Sequence, residues 1–166
     1  MHIRDAAPEE RGLIREQRLN AYSEHAQSIP AAHWRALSQA IGSEADAQPG
    51  VQLMVAEVDG QIAGSVALFP AESDAYEGHA DKQDYPEIRM LAVAPAYRGK
   101  GAASALIAEC IRRARDAGCR AVGLHTGEFM QDARQLYEKL GFERLPQYDF
   151  QPADDGITVM AFRLEL

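Results

Sequence analysis

The stretch Ile88-Arg-Met-Leu-Ala-Val-Ala-Pro-Ala-Tyr-Arg-Gly-Lys-Gly-Ala-Ala-Ser104 decides the fold. Residues 88–93 are apolar enough for a strand buried on both faces. Pro95 has no N–H for a ladder and closes that strand. Gly99 and Gly101 open backbone conformations barred to other residues and let a ligand come close. From Ala102 the period changes. Ala103, Leu106, Ile107, Cys110, Ile111 and Ala114 recur three and four apart, as on a helix with one buried stripe. The free N–H groups at that helix start, with Arg98 and Lys100 beside them, suit a phosphate.

Two common phosphate motifs do not fit this turn. A P-loop needs Gly-x-x-x-x-Gly-Lys-Ser/Thr, but Gly101 follows Lys100, and Ala94 or Pro95 stands where the first glycine belongs. The dinucleotide fingerprint Gly-x-Gly-x-x-Gly has Ser104 in its third place. No acidic residue ends the next strand, which carries Leu124, His125 and Thr126 there.

A third pattern fits every position. Arg98-x-x-Gly101-x-Ala103 directly follows a Leu-Ala-Val strand, and Ala133-Arg-Gln-Leu-Tyr-Glu-Lys-Leu-Gly-Phe142 reads as a later helix and the turn after it. Together these segments resemble the GCN5-related N-acetyltransferase (GNAT) family, over residues 87–142. The resemblance implies acetyl-CoA as cosubstrate. Its pyrophosphate would lie on Arg98, Gly99, Lys100, Gly101, Ala102, Ala103 and Ser104. Its pantetheine arm would run along Leu91, Ala92 and Val93, where family members splay two parallel strands at a bulge and a backbone N–H faces the thioester oxygen. The implied reaction is direct attack on the thioester by a primary amine of a small molecule or peptide.

Glu87, at the start of the central strand, matches the carboxylate that in the family often receives the amine proton, usually through water, so that it would act either directly or through water; by itself it is equally a strand-end glutamate facing solvent. Tyr137 matches the tyrosine that protonates the coenzyme sulfur; by spacing alone it is an ordinary core aromatic. Met130 departs from the family, which commonly has asparagine there, and methionine cannot donate that hydrogen bond. The alternative for such a chain is a catalytically idle CoA-binding sensor or scaffold. Family members often pair, which makes a homodimer one of the expectations.

Composition narrows the rest. With 166 residues and 46% hydrophobic content, one acetyltransferase domain over residues 1–166 is expected. A formal net charge of −8 argues against nucleic acid as the main partner. No apolar run has the length of a membrane span or signal peptide, so a cytoplasmic protein without a membrane partner is expected. Cys110 and Cys119 are too few for a disulfide scaffold. His79 has no companion at ligand spacing, so no metal site is expected.

In order, residues 2–5 read as a strand and Pro8 opens a helix whose buried face is Leu13, Ile14, Arg18 and Tyr22. Ser28 reads as the cap of a second helix burying Trp34, Leu37 and Ile41. Two strands flank Asp59-Gly60, a hairpin signal, and Gly64 marks a bulge in the second. After the central strand and helix, residues 121–125 form a strand, and a helix carries Phe129, Ala133, Leu136, Tyr137 and Leu140. Residues 142–148 and 157–164 form a last strand pair. The expected fold is α/β (α+β): a mixed, mostly antiparallel sheet flanked by helices, with splayed central strands.

Residues 71–86 form a polar insertion with Glu72, Asp74, Glu77, Asp81 and Asp84. Read as a negative rim, it predicts polycationic or neutral amines over acidic ones. Read plainly, it is a solvated loop.

Overall fold

In the computed structural model, which describes residues 1–73 and 82–166, Asp59 and Gly60 both take positive φ (51° and 77°). That turn sets the hairpin of β2 (Gln52–Val58) and β3 (Gln61–Phe69), and β1 (His2–Asp5) pairs antiparallel along β2. β4 (Glu87–Val93) adds antiparallel to β3. β5 (Ala121–Gly127) then runs parallel to β4, β7 (Val159–Glu165) antiparallel to β5, and β6 (Glu143–Arg144) completes the order β1-β2-β3-β4-β5-β7-β6. This is the mixed, mostly antiparallel sheet that the sequence predicts.

Helices cover both faces. α3 (Ala102–Asp116) and α4 (Gln131–Lys139) lie on one, where Leu106, Ile107, Cys110 and Tyr137 pack with Val66, Ile88, Leu124 and Phe162. α1 (Arg11–Tyr22) and α2 (Ala31–Ile41) lie on the other, over Val55, Phe69, Met90 and Ala92. Burial pushes the Cys110 thiol up to about 12, so it serves as a small apolar group. Among the described residues no helix is long and apolar enough to cross a membrane.

Three local expectations change. Leu13 is 56% exposed, because the buried stripe of α1 runs through Ile14, Arg18, Ala21 and Tyr22, and one residue of helix turns Leu13 about 100° away. Ser28 does not cap α2. Its N–H closes the preceding turn on the His25 carbonyl at 2.9 Å, and Pro30 precedes the first helical residue. The strand predicted over residues 142–148 shrinks to β6, since Pro146 starts a short 3₁₀ turn. Asp149 Oδ1 then accepts the Ala161 N–H at 2.8 Å, where a strand carbonyl would otherwise stand, and the Arg144 guanidinium grips both Asp149 oxygens. Of the acidic insertion, Asp74, Glu77, Asp81 and His79 lie outside the described residues. Asp84 lies 3.9 Å from Arg120, both exposed.

β4 positions the site because it carries an irregularity. Ala67 pairs with Arg89 and Ser65 with Ala92, so Met90 and Leu91 together oppose Val66. Met90 has φ 62°, a left-handed conformation costing a branched-chain or bulky residue about 1 kcal/mol or more. The extra residue shifts the side-chain alternation by one. Ile88, Leu91 and Val93 accordingly pack toward α3, and Met90 and Ala92 toward α1. A second register shift in the β2–β3 pairing falls next to Gly64, as expected.

Candidate active site

The parallel ladder between β4 and β5 holds at Glu87↔Gly123 and Ile88↔Leu124. Past those pairs the strands continue without further register, and a cleft of about 470 Å³ opens. Leu91, Ala92 and Val93 form one wall, and Met130, Ala133 and Leu136 the other. Its outer end is the turn into α3, with Arg98, Gly99, Gly101, Ala102, Ala103 and Ser104. Gly101 precedes that helix with φ 84° and ψ 11°, a left-handed conformation that glycine adopts without strain, and the first N–H groups of α3 have no side-chain cap. Lys100 is the one predicted cofactor residue outside this lining; its Nζ stands 5.6 Å from the Tyr97 ring centroid.

Arg98 joins the turn to the end of α1. Its Nη1 pairs with Glu24, its Nε donates to the Val93 carbonyl at 3.3 Å, and its Nη2 to the Ala21 carbonyl at 3.4 Å. Both side chains of the Arg98–Glu24 pair are more than a third exposed, so water screens it and an arriving anion can compete. His25, beside them, stacks edge-on against Phe129 at 5.4 Å, and burial holds its imidazole below the usual histidine range.

A second cavity of about 150 Å³ adjoins the cleft on the α2 side. Tyr22, Leu91, Phe129 and Met130 line both spaces and mark their junction. Tyr137 lines the small cavity, buried, with its ring packed on Phe142 and Phe162 at 5.9 and 6.3 Å. Burial above all, then Tyr22 and Cys110, pushes its hydroxyl well above the tyrosine range, so it keeps its proton at neutral pH. Met130, at the position where the family has asparagine, accepts a weak bond from Thr126 Oγ1 at 3.6 Å.

Glu87 is buried rather than solvent-facing. Its Oε1 occupies space that a side chain at position 123 would contest: a Cβ on Gly123 would fall 3.1 Å from it and 2.5 Å from the Tyr85 ring. Its Oε2 lies 3.6 Å from His125 Nδ1, and His125, unlike Glu87, lines the small cavity. His125 Nε2 sits 3.1 Å from the Tyr148 carbonyl. A second imidazole–carboxylate pair, His33 Nδ1 to Asp155 Oδ2 at 2.9 Å, stands at the same cavity. His125, His33 and Asp155 had no local signal in the sequence, because the strand register and the return of the 146–158 segment bring them together.

Residues 13–142 match the acetyltransferase (GNAT) family. An uncharacterized N-acetyltransferase of Escherichia coli, YjgM, is 33% identical over 98 residues, which cover 59% of this chain and 54% of that one. N-acetyltransferase family 8 member 2 of Rattus norvegicus is 35% identical over 114 residues, 68% of this chain and 48% of its own. The matches thus cover about half of these relatives' own length. Two solved structures share the fold: yncA of Salmonella typhimurium with its cofactor acetyl-CoA (TM-score 0.67, 21% identity, 100% of this chain and 94% of that one), and the PaiA N-acetyltransferase of Thermoplasma acidophilum in complex with coenzyme A (TM-score 0.70, 14% identity, 99% and 98%). The splayed strands, the glycine turn into α3 and the match over residues 13–142 agree: the chain belongs to the GNAT acetyltransferase family.

Proposed function

We propose that this chain is one acetyl-CoA-dependent N-acetyltransferase domain that transfers the acetyl group to a primary amine by direct attack. The observation that carries the reading is the meeting of two spaces at Tyr22, Leu91, Phe129 and Met130, one long and open to the helix start, one small and mostly apolar. The long cleft suits coenzyme A. Its strand edge can accept an extended amide arm as an added strand would, and the start of α3 can receive the pyrophosphate. Bound there, acetyl-CoA supplies an activated acetyl thioester at the junction.

The chain's own groups then divide the work. A backbone N–H of the bulged stretch Leu91, Ala92, Val93 donates to the carbonyl oxygen as charge gathers on it. Glu87, buried beside His125 at the edge of the cavity, draws the proton from the acceptor ammonium through water. The Tyr137 hydroxyl, kept protonated by burial, gives its proton to the departing sulfur.

Thermal denaturation with acetyl-CoA, ATP and NAD, followed by thiol-release assays on an amine panel, tests this. Stabilisation by acetyl-CoA alone, with steady thiol release, is the expected result. No stabilisation by acetyl-CoA overturns the reading. Stabilisation without turnover on any amine makes the chain a sensor or scaffold.

A further inference from the structure

His33, on α2, is only 3% exposed and lines the small cavity. Asp155 Oδ2 holds its Nδ1 at 2.9 Å, and Asp155 itself is not part of the cavity lining. His33 Nε2 has no hydrogen-bond partner among the described residues, and it is not one of their sealed-in polar atoms, so it opens on the cavity. The ring stands edge-on to Phe129 with 5.7 Å between centroids, and Phe129 borders both the cavity and the coenzyme cleft. Because the Asp155 carboxylate accepts the Nδ1 proton, Nε2 of the neutral ring offers a lone pair. A buried acceptor backed by a negative charge suits a cationic donor.

Most of the remaining wall is hydrocarbon. Leu37, Ala40 and Ile41 come from α2, Ile88 and Met90 from β4, and Val159 from β7. Arg89 and His125 also border the cavity, and each is engaged within the protein. The Arg89 guanidinium lies 5.8 Å from the Phe69 ring centroid, and His125 meets Glu87 and the Tyr148 carbonyl. The cavity measures about 150 Å³. An apolar cavity of roughly that size takes a benzene-sized group. A second ammonium, or a carboxylate, would give up its water against this wall, which burial penalises heavily.

We infer that the small cavity takes an apolar primary amine, with an aryl or branched-alkyl tail, and that His33 Nε2 binds its ammonium. This rests on the acetyltransferase reading and specifies its acceptor. The tail lies on the α2 side, among Leu37, Ala40 and Ile41. The ammonium donates one N–H to Nε2, and Asp155 behind the ring supplies the countercharge. Another N–H is left for the water path to Glu87, which remains the proton acceptor. Held beside Phe129, the nitrogen sits at the border with the cleft, where the thioester arrives. His33 thus orients the nucleophile. The preference for a single charge departs from the polycationic amines that the acidic insertion suggests, and keeps its disfavour of acidic ones.

The test is steady-state kinetics on 3-methylbutylamine, benzylamine, 1,4-diaminobutane and 4-aminobutanoate, with wild type, His33→Asn and His33→Gln. Wild type should favour the two apolar amines over the two with a charged tail by about tenfold or more in kcat/KM. His33→Asn keeps a donor near the Nδ1 position for Asp155 and removes the Nε2 acceptor; His33→Gln does the reverse. His33→Asn should therefore raise the KM for 3-methylbutylamine by about tenfold, with the stabilisation by acetyl-CoA retained, and His33→Gln should recover part of that loss. A purely structural tie to Asp155 predicts the opposite order of the two variants. That order, or a wild-type KM in His33→Asn, overturns the assignment. A wild type that prefers 1,4-diaminobutane or 4-aminobutanoate does so whatever the variants do. Turnover of those acceptors would leave the acetyltransferase reading standing, and the two failures are therefore distinct.

Discussion

His33 Nδ1 lies 2.9 Å from Asp155 Oδ2, a contact between residues 122 positions apart that ties the segment before β7 to α2. Asp155 Oδ1 also accepts the Ile157 N–H at 3.0 Å. Although desolvation raises the Asp155 carboxyl, these bonds hold it below its usual value, so the pair joins an imidazole to an ionised carboxylate near neutral pH. Asp155→Ala should loosen this wall of the small cavity. The KM for the amine should rise by about tenfold, the loss of one charge-assisted bond, while calorimetry finds acetyl-CoA affinity within about twofold of wild type. Equal losses for both substrates would mean that the tie supports the whole fold.

At Gly101 the left-handed backbone is required by the turn into α3. A β-branched side chain there costs roughly 1–2 kcal/mol in strain and projects into open space, since nothing lies within 4 Å of the added Cβ. Gly101→Val should lower the melting temperature modestly and weaken acetyl-CoA binding by about tenfold or more. Unchanged binding by calorimetry would remove the phosphate site from this turn.

Tyr137→Phe deletes one oxygen and keeps the ring between Phe142 and Phe162. Stability should change little, and turnover should fall by roughly ten- to a thousandfold, as for loss of a general acid. Because burial raises the hydroxyl, no loss of rate from its ionisation is expected until well above pH 10. Wild-type turnover in the variant, with chemistry limiting, would make Tyr137 core alone.

Arg18 is fully buried in α1, donating to the Ile41 carbonyl at 2.6 Å and to Asp46 at 3.1 Å; Arg15 reaches the other Asp46 oxygen at 2.7 Å. Removing one member strands a charge in the interior. Asp46→Ala should therefore cost about 3–5 kcal/mol in urea denaturation. Arg18→Met with Asp46→Ala should cost much less than the sum of the two single changes. Additive costs would show that the pair is not coupled.

Glu10 carries a pH signature. Arg4 bonds both its oxygens, at 2.8 and 2.9 Å, and with the Ala7 N–H draws its carboxyl down from 4.5 to about 2. The folded value lies below the unfolded one, so the stabilisation is complete above pH 4.5 and disappears as pH falls through about 2. Glu10→Gln should lower stability by no more than about 1 kcal/mol at pH 6, and the two proteins should converge near pH 2. A gap constant across that range would trace the effect to packing.

What was legible in the sequence was local. The shift in period from β4 to α3 and the Asp59-Gly60 turn depend on neighbouring residues alone, and both are where the pattern puts them. Leu13 was misplaced because Leu13 and Ile14 are adjacent and pattern alone does not say which one the sheet covers. β6 was overextended because an Asp149 carboxylate, not a backbone carbonyl, meets β7. The family signature led to Glu87 and the cleft, but not to His125 beside Glu87, nor to Glu24 on Arg98. Those partners are joined only by tertiary register, which leaves no mark in the nearby residues.

The parting of β4 from β5 places a strand edge in the middle of the sheet. At a rim, such an edge is open to any passing chain, and proteins blunt it with charge or proline. Here β3 and β7 hold the two strands from outside, and α4 residues close the slot from one side. A slender, extended group fits between these flanking elements as an added strand would, and a folded partner does not share that shape. The shape of the opening thus decides what can pair there, and the protein can leave its sheet incomplete without exposing itself to strand-by-strand association.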